Sequence, residues 1–215
     1  MKYLLGIDFG GGASKATLID TNGNIAAEST AEYPTLYPET GACEQSPEDW
    51  INALCVNTAA VLEKSGINSG DILCIAIDSA THTFLPCDGD FRPLCNAVHW
   101  TDSRSRSQAE ELREKYGDMI FKMAFHRPDT IWTLPQLMWL KATRPQIFSR
   151  IKHIFFEKDY IRYFLTGVFC TDYIEAQGSM LFDCRENKWS EELCRLGGVD
   201  ISWLPPVVKP TDIIG

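Results

Sequence analysis

Apolar and polar positions along the chain fall into lengths that separate strands from helices almost at once. Residues 3–7 form an apolar run of strand length, residues 16–19 form another, and a third begins at 25–27. The first gap holds Gly10, Gly11 and Gly12; the second holds Asn22-Gly23, a hairpin signal because both residues accept positive φ. The start of the chain therefore reads as a three-stranded antiparallel meander. Residues 46–66 have helical spacing, with Trp50, Leu54, Val61 and Leu62 on the apolar face. Ser46 is the expected cap, Pro47 suits the first turn, Glu48 and Asp49 favour the positive end of the dipole, and Gly66 stops the helix. Residues 72–77 are continuously apolar and then turn abruptly polar, which predicts a buried strand.

A hairpin-like stretch over 84–100 follows, turning at Asp88-Gly89-Asp90. Helical patterns cover 103–115 and 133–141, a strand is predicted over 153–159, and a helix over 160–167 ends at Gly167. The tail, 203–215, is proline-rich and reads as extended. No internal repeat and no low-complexity segment is visible. This order of elements behind a leading meander is the ribonuclease H-like arrangement of the actin-like ATPase superfamily. The expectation is an α/β domain over 1–215 with a mixed five-stranded sheet and flanking helices.

Composition narrows the function classes. The chain has 215 residues, 45% hydrophobic and 23% charged, enough for a full core. A net charge of −9 with scattered basic residues argues against a nucleic-acid partner. The apolar runs are too short to span a bilayer and Met1-Lys2 leads straight into a strand, so neither a membrane nor an export signal is expected. Eight dispersed cysteines without a C-x-x-C pair read as reduced thiols and core fillers of a cytoplasmic protein.

The chemistry concentrates where the first strand ends. Asp8 is followed by three glycines, whose backbone N–H groups can converge on an anion without a Cβ in the way. A carboxylate at that point suits Mg²⁺, which favours carboxylate and phosphate oxygens and keeps several waters. Neither the G-x-x-x-x-G-K-[ST] nor the G-x-G-x-x-G spacing is present, so a plain glycine turn stands beside the phosphate loop as a reading. His82 lies just past a predicted strand end, where ligands of α/β sheets bind, although a lone histidine is more often structural. Trp100 reads either as a core aromatic or as a ring that stacks on a flat ligand face. Trp132 and Trp139 are seven residues apart, one helix face, which favours a core role for Trp139. Asp159 and Tyr160 read as fixing a loop and capping a helix, and Asp172 and Glu175 as lining a site or simply solvated.

The stretch GIDFGGGASKATLID resembles the first phosphate motif of the FGGY carbohydrate kinases, Asp-x-Gly-Thr-x-x-x-Lys/Arg, with Asp8, Gly10 and Lys15 matching. Gly11 and Gly12 stand where hydroxyl residues are frequent in that family. Further segments are similar in the same order: CEQSPEDW, IDSATHTFLPCD, AVHWTDSRS with its Trp-x-Asp-x-Arg, TIWTLPQLMWLKATRP, EKDYIRYFLTG and TDYIEAQGSMLFD. Gln136 replaces the usual Lys, and Ala80 and Thr81 depart from the Gln-Met-His of xylulose kinases while His82 matches.

The resemblance implies an N-terminal kinase domain that binds a sugar through Thr81, His82, Trp100 and Asp102. It places ATP at Gly10, Gly11, Gly12 and Lys15, and Mg²⁺ at Asp8. Catalytic base and adenosine pocket belong, in the family, to a second domain, so this chain alone is expected to lack phosphotransfer. GGVD at 197–200 looks like the family's catalytic motif, but ISWLPPVV follows and cannot form the required small-residue helix, so it reads as a loop. A pentulose, xylulose first, is the expected substrate, with ribulose or glycerol as alternatives and a homodimer allowed. Two rival classes stay open: a non-catalytic sugar-binding regulator, and a ribonuclease H-like nuclease holding two metals about 4 Å apart through Asp8 and Asp78.

Overall fold

The computed structural model describes residues 1–215. Period-two alternation builds the first sheet. β1 (Tyr3–Phe9) buries Leu5, Ile7 and Phe9 and turns Leu4, Gly6 and Asp8 outward, the signature of a strand with one covered face. β2 (Ala13–Asp20) and β3 (Ile25–Glu32) complete the antiparallel meander. The turn between them uses positive φ only at Gly23; Asn22 instead donates its N–H to the Asp20 carboxylate at 2.8 Å, beside the Asn24 N–H at 2.9 Å. After a short strand, β4 (Glu44–Gln45), come α1 (Pro47–Ser65) and β5 (Ile72–Ser79). Ser46 occupies the N-cap position of α1 but its side chain makes no capping bond, while Gly66 closes the helix at φ 64°.

Contacts divide the chain into two compact units, Met1–Thr35 with Ser46–Ala80, and Leu36–Gln45 with Thr81–Gly215. In the first, the sheet order is β3-β2-β1-β5, with β5 parallel to β1. α1 packs on β2 and β3, so β5 is an edge strand and not the buried one its apolar run suggests: Leu73 is 60% and Ile75 43% exposed. Asparagine 57 on α1 ties helix to sheet, its Nδ2 donating to the Ser14 carbonyl and Oγ at 3.0 Å each.

The second unit continues with β6 (Phe84–Cys87), β7 (Ala97–Val98), α2 (Arg106–Ala124), α3 (Thr133–Thr143), α4 (Pro145–Phe148) and β8 (His153–Phe156). Then follow α5 (Glu157–Thr166), β9 (Thr171–Asp172), α6 (Tyr173–Gly178), β10 (Phe182–Asp183), β11 (Lys188–Trp189), α7 (Glu191–Gly197) and β12 (Val207–Val208). β4, β7, β6 and β8 form a second sheet in that order. Two further pairs, β10 with β11 and β9 with β12, are ribbons. The core gathers Phe84, Leu112, Leu134, Leu137, Ile154 and Phe156.

The α/β class with flanking helices holds, but the strand count differs from the expected five-stranded sheet. Strand 153–156 pairs antiparallel with β6, Phe84 opposite Phe156, and so belongs to the second four-stranded sheet. Two boundaries also move. α2 runs on past residue 115 because Ile120, Met123 and Ala124 continue its buried face. Residues 157–159 leave the predicted strand and form the first turn of α5, where Glu157 and Asp159 meet the positive end of the dipole.

Candidate functional site

In the first unit, β1 and β2 present Asp8 and the glycine turn. Asp8 is exposed and lies in register with Lys15 on β2 and Asp78 on β5. The sheet thus sets one lysine and two carboxylates side by side on its outward face. In the turn, the Gly10 N–H donates to the Ala13 carbonyl at 2.9 Å. Tyr33 binds the Gly10 carbonyl through its hydroxyl at 2.6 Å, Thr35 binds that of Gly11, and the Tyr33 N–H donates to that of Gly12 at 3.1 Å. Gly11 and Gly12 are exposed, and their N–H groups donate to no protein carbonyl. The three carbonyls are tied down, and the Gly11 and Gly12 donors are not.

None of these three glycines has positive φ. A Cβ at Gly10 would lie 3.5 Å from its nearest neighbour and one at Gly12 4.0 Å away, ordinary contact distances. The turn does not require glycine at these two positions, which removes the main structural reason for it. Ser14 offers no compensating hydroxyl, since it is fully buried and held by Asn57. Asp8 and Asp78 are oxygen donors of the kind Mg²⁺ takes, two exposed carboxylates in register on adjacent strands. The donor set fits that ion.

In the second unit, His82 follows exposed Thr81 and takes a left-handed backbone, φ 63°. Its N–H donates to Glu175 Oε1 at 2.6 Å, and its ring meets Trp132 at 5.0 Å between centroids. Trp132 is not on a helix face with Trp139: it occupies the N-cap position of α3, donates Nε1–H to the Arg127 carbonyl, and stacks on His126 at 4.2 Å. Trp139 is the buried core residue expected. Trp100 is 40% exposed, and its ring lies 5.8 Å from that of His99, tilted by 41°.

Asp102 is 1% exposed. Its Oδ2 accepts from the Cys43 N–H at 2.8 Å and from Arg104 Nε at 3.0 Å, and its Oδ1 from the Arg104 N–H at 3.0 Å. Arg104 in turn reaches Glu44 at 2.7 Å and Glu39 at 3.0 Å and lies 4.0 Å over the Trp139 ring. Its carboxylate partners hold the guanidinium above its usual range despite burial. This hub anchors the loop that carries Trp100. His99, in the same loop, is buried and bonded to Thr101 at 2.7 Å; burial brings its pKa down to about 4. Gln136 is fully buried and spans two carbonyls, His99 at 3.2 Å and Thr130 at 3.1 Å. A neutral amide with two donors satisfies that pair without burying the charge of the lysine usual in the motif.

Sequence reasoning missed the Arg104 hub and the part of Glu175. Asp159 does not cap α5; it is buried in the first turn, bridging Lys158 at 2.8 Å and Arg162 at 2.9 Å. Asp172 is buried, not solvated, and caps α6, accepting from the Ile174 and Glu175 N–H groups at 3.0 Å. The 197–200 stretch closes α7 at Gly198 and carries no further α-helix. All eight cysteines are free thiols, and burial raises Cys95 to about 11 and Cys194 to about 12. No helix is long and apolar enough to cross a membrane.

Residues 3–215 match the model of the FGGY family of carbohydrate kinases, N-terminal domain. Over 215 residues, all of this chain and 43% of the relative, the sequence is 33% identical to a xylulose kinase of Bacillus subtilis. Among solved structures, a gluconate kinase from Lactobacillus acidophilus superposes with a TM-score of 0.94 at 26% identity, covering all of this chain and 43% of that one. A ligand-bound xylulose kinase from Lactobacillus acidophilus gives 0.94 and 26%, covering all of this chain and 44% of that one. The chain thus spans less than half the length of the relatives it matches.

Proposed function

The chain belongs to the FGGY family of carbohydrate kinases, as its N-terminal domain, and from that premise we propose that it serves ATP-dependent phosphorylation of a pentulose, D-xylulose first. The first unit supplies the phosphate-facing groups. Exposed Gly11 and Gly12 N–H groups donate to the terminal phosphates, and Lys15 adds a positive charge beside them. Asp8, with Asp78 next to it, would hold Mg²⁺, which when bound neutralises charge on the transferring phosphoryl group. The second unit supplies the sugar-facing groups: His82 and Thr81 at the end of the connection from β5, and Trp100 as a stacking surface. Asp102 serves the same sugar site by way of Arg104 and the loop they hold, because its own oxygens are already taken by protein donors. The base that accepts the sugar hydroxyl proton is assigned outside this chain.

One observation carries the reading: two open N–H groups stand beside Asp8 in a turn that neither φ nor crowding compels to be glycine at Gly10 and Gly12. The nuclease alternative uses the same two aspartates, but the net charge of −9 and the family membership weigh against it. The test is an ADP-release assay on the product of the complete reading frame in which this sequence lies, with D-xylulose, D-ribulose and glycerol as acceptors. Asp8→Asn should lower kcat strongly and leave sugar affinity nearly intact. Full activity in that variant would reduce the glycine loop to a turn.

A further inference from the structure

Three features converge on the ring of His82. Its backbone is left-handed, φ 63°, a conformation costly for a residue with a Cβ unless its surroundings hold it. The holding group is Glu175, itself 1% exposed, which accepts the His82 N–H at 2.6 Å and places the same oxygen 3.4 Å from the ring Nδ1. The third feature is Gly178, one turn further along α6: a Cβ there would come within 1.6 Å of His82 Cε1 and 2.0 Å of Nδ1. The helix is notched to admit this ring, and Trp132 closes another side at 5.0 Å. Nδ1 is sealed from solvent and makes no hydrogen bond, with the Glu175 carboxylate 3.4 Å away, while 17% of the side chain remains open.

We propose that Glu175 is a positioning residue that fixes the neutral His82 ring with its proton on Nδ1, turned toward the carboxylate, and leaves Nε2 as an acceptor for a sugar hydroxyl. The inference rests on the reading of His82 as a sugar contact. Its logic is that of a ligating histidine, in which the partner of one ring nitrogen decides what the other can do. The backbone of Glu175 is held in turn: Asp172 accepts its N–H at 3.0 Å, and Lys158 bridges Asp172 and Asp159 at 2.8 Å each. Burial at 1% exposure and the bond from the His82 N–H restrict the Glu175 side chain, which is what a tautomer selector needs.

The experiment is ¹⁵N NMR of the imidazole rings in the 215-residue chain, at a pH where the ring is neutral, joined to calorimetric titration with D-xylulose. The wild type should show His82 with a protonated Nδ1 and a bare Nε2. Glu175→Gln keeps an oxygen for the His82 N–H but removes the charge; it should mix the tautomers and weaken D-xylulose binding roughly tenfold, since charge-assisted bonds are about twice as strong as neutral ones. Glu175→Asp should restore part of both signals. A wild-type ring protonated on Nε2 would overturn the proposal even if no Glu175 variant folded. So would a Glu175→Gln chain with unchanged ring signals. If the ring signature changes as expected in Glu175→Gln while D-xylulose leaves the His82 signals untouched, the sugar-contact reading fails and the assignment of Glu175 is supported.

Discussion

A methyl group added at Gly12 would meet nothing closer than 4.0 Å, and one at Gly10 nothing closer than 3.5 Å. Neither position has the positive φ that would penalise a side chain. Gly10→Ala and Gly12→Ser should therefore leave the thermal midpoint of the chain unchanged or slightly raised, by about 0.4–1 kcal/mol in stability from the lost freedom of the unfolded chain. The functional effect should go the other way from a structural glycine. A hydroxyl at position 12 adds a donor that the buried Ser14 cannot supply, and a hydrogen bond to a charged phosphate is worth about 1.5–3 kcal/mol. In the complete protein Gly12→Ser should lower the KM for ATP by roughly tenfold, as one bond at the low end of that range implies. A Gly12→Ser variant that unfolds would show that the turn needs its glycine.

Loops gain their shape here from charged groups that hydrophobic patterns do not reveal. Arg104 joins the 99–105 loop to Glu39, to Glu44 on β4, and to the Trp139 ring on α3, while its own side chain is 5% exposed. Removing it would leave Asp102 buried without its cation and Glu44 with only the longer pair to Arg144 at 3.4 Å. The cost of breaking a buried ion pair from one side is about 3–5 kcal/mol. Arg104→Ala should lower the denaturant midpoint accordingly, whereas Arg104→Lys should recover only part, because an ammonium cannot reproduce the planar fork that reaches three carboxylates. Chemical denaturation followed by tryptophan fluorescence measures both. An Arg104→Ala midpoint equal to that of the wild type would make the hub an ornament of the surface.

Acid should destabilise the molecule in two windows, and His99 sets the upper one. Its folded pKa is about 4 because burial disfavours the cation, against an ordinary 6.5. Below 6.5 the unfolded chain takes a proton that the folded chain refuses, so stability falls as pH drops from 6.5 to about 4 and the loss then levels off. The full span amounts to about 3 kcal/mol. Asp183 sets the lower window: hydrogen bonds from Arg185 hold its carboxyl at about 2, so its contribution is present above the usual carboxylate range and is lost as pH falls toward 2. Denaturation midpoints between pH 7 and pH 4.5 should decline in the wild type and decline less steeply in His99→Gln, where His126 and His153, also lowered by burial, still contribute. Equal slopes in the two chains would remove His99 as the cause.

Period and punctuation determined much of this protein from sequence. Alternation over 3–32 gave the meander, Ser46 and Gly66 bracketed α1, Gly167 closed α5, and the glycines after Asp8 marked the first turn, because each depends on neighbours within a few residues. Tertiary structure decided what depends on distant partners. An apolar run cannot say whether a helix covers it, so β5 was read as buried and stands at an edge. The strand at 153–156 could not announce that it pairs with β6 and not with the first sheet. Asp102 gives no local sign that Cys43 and Arg104 take both its oxygens, nor Glu175 that its carboxylate stands 93 positions along the chain from the His82 N–H it accepts. Local conformational preference is carried by adjacent residues, whereas burial and charge pairing are set by whichever segments the fold brings together.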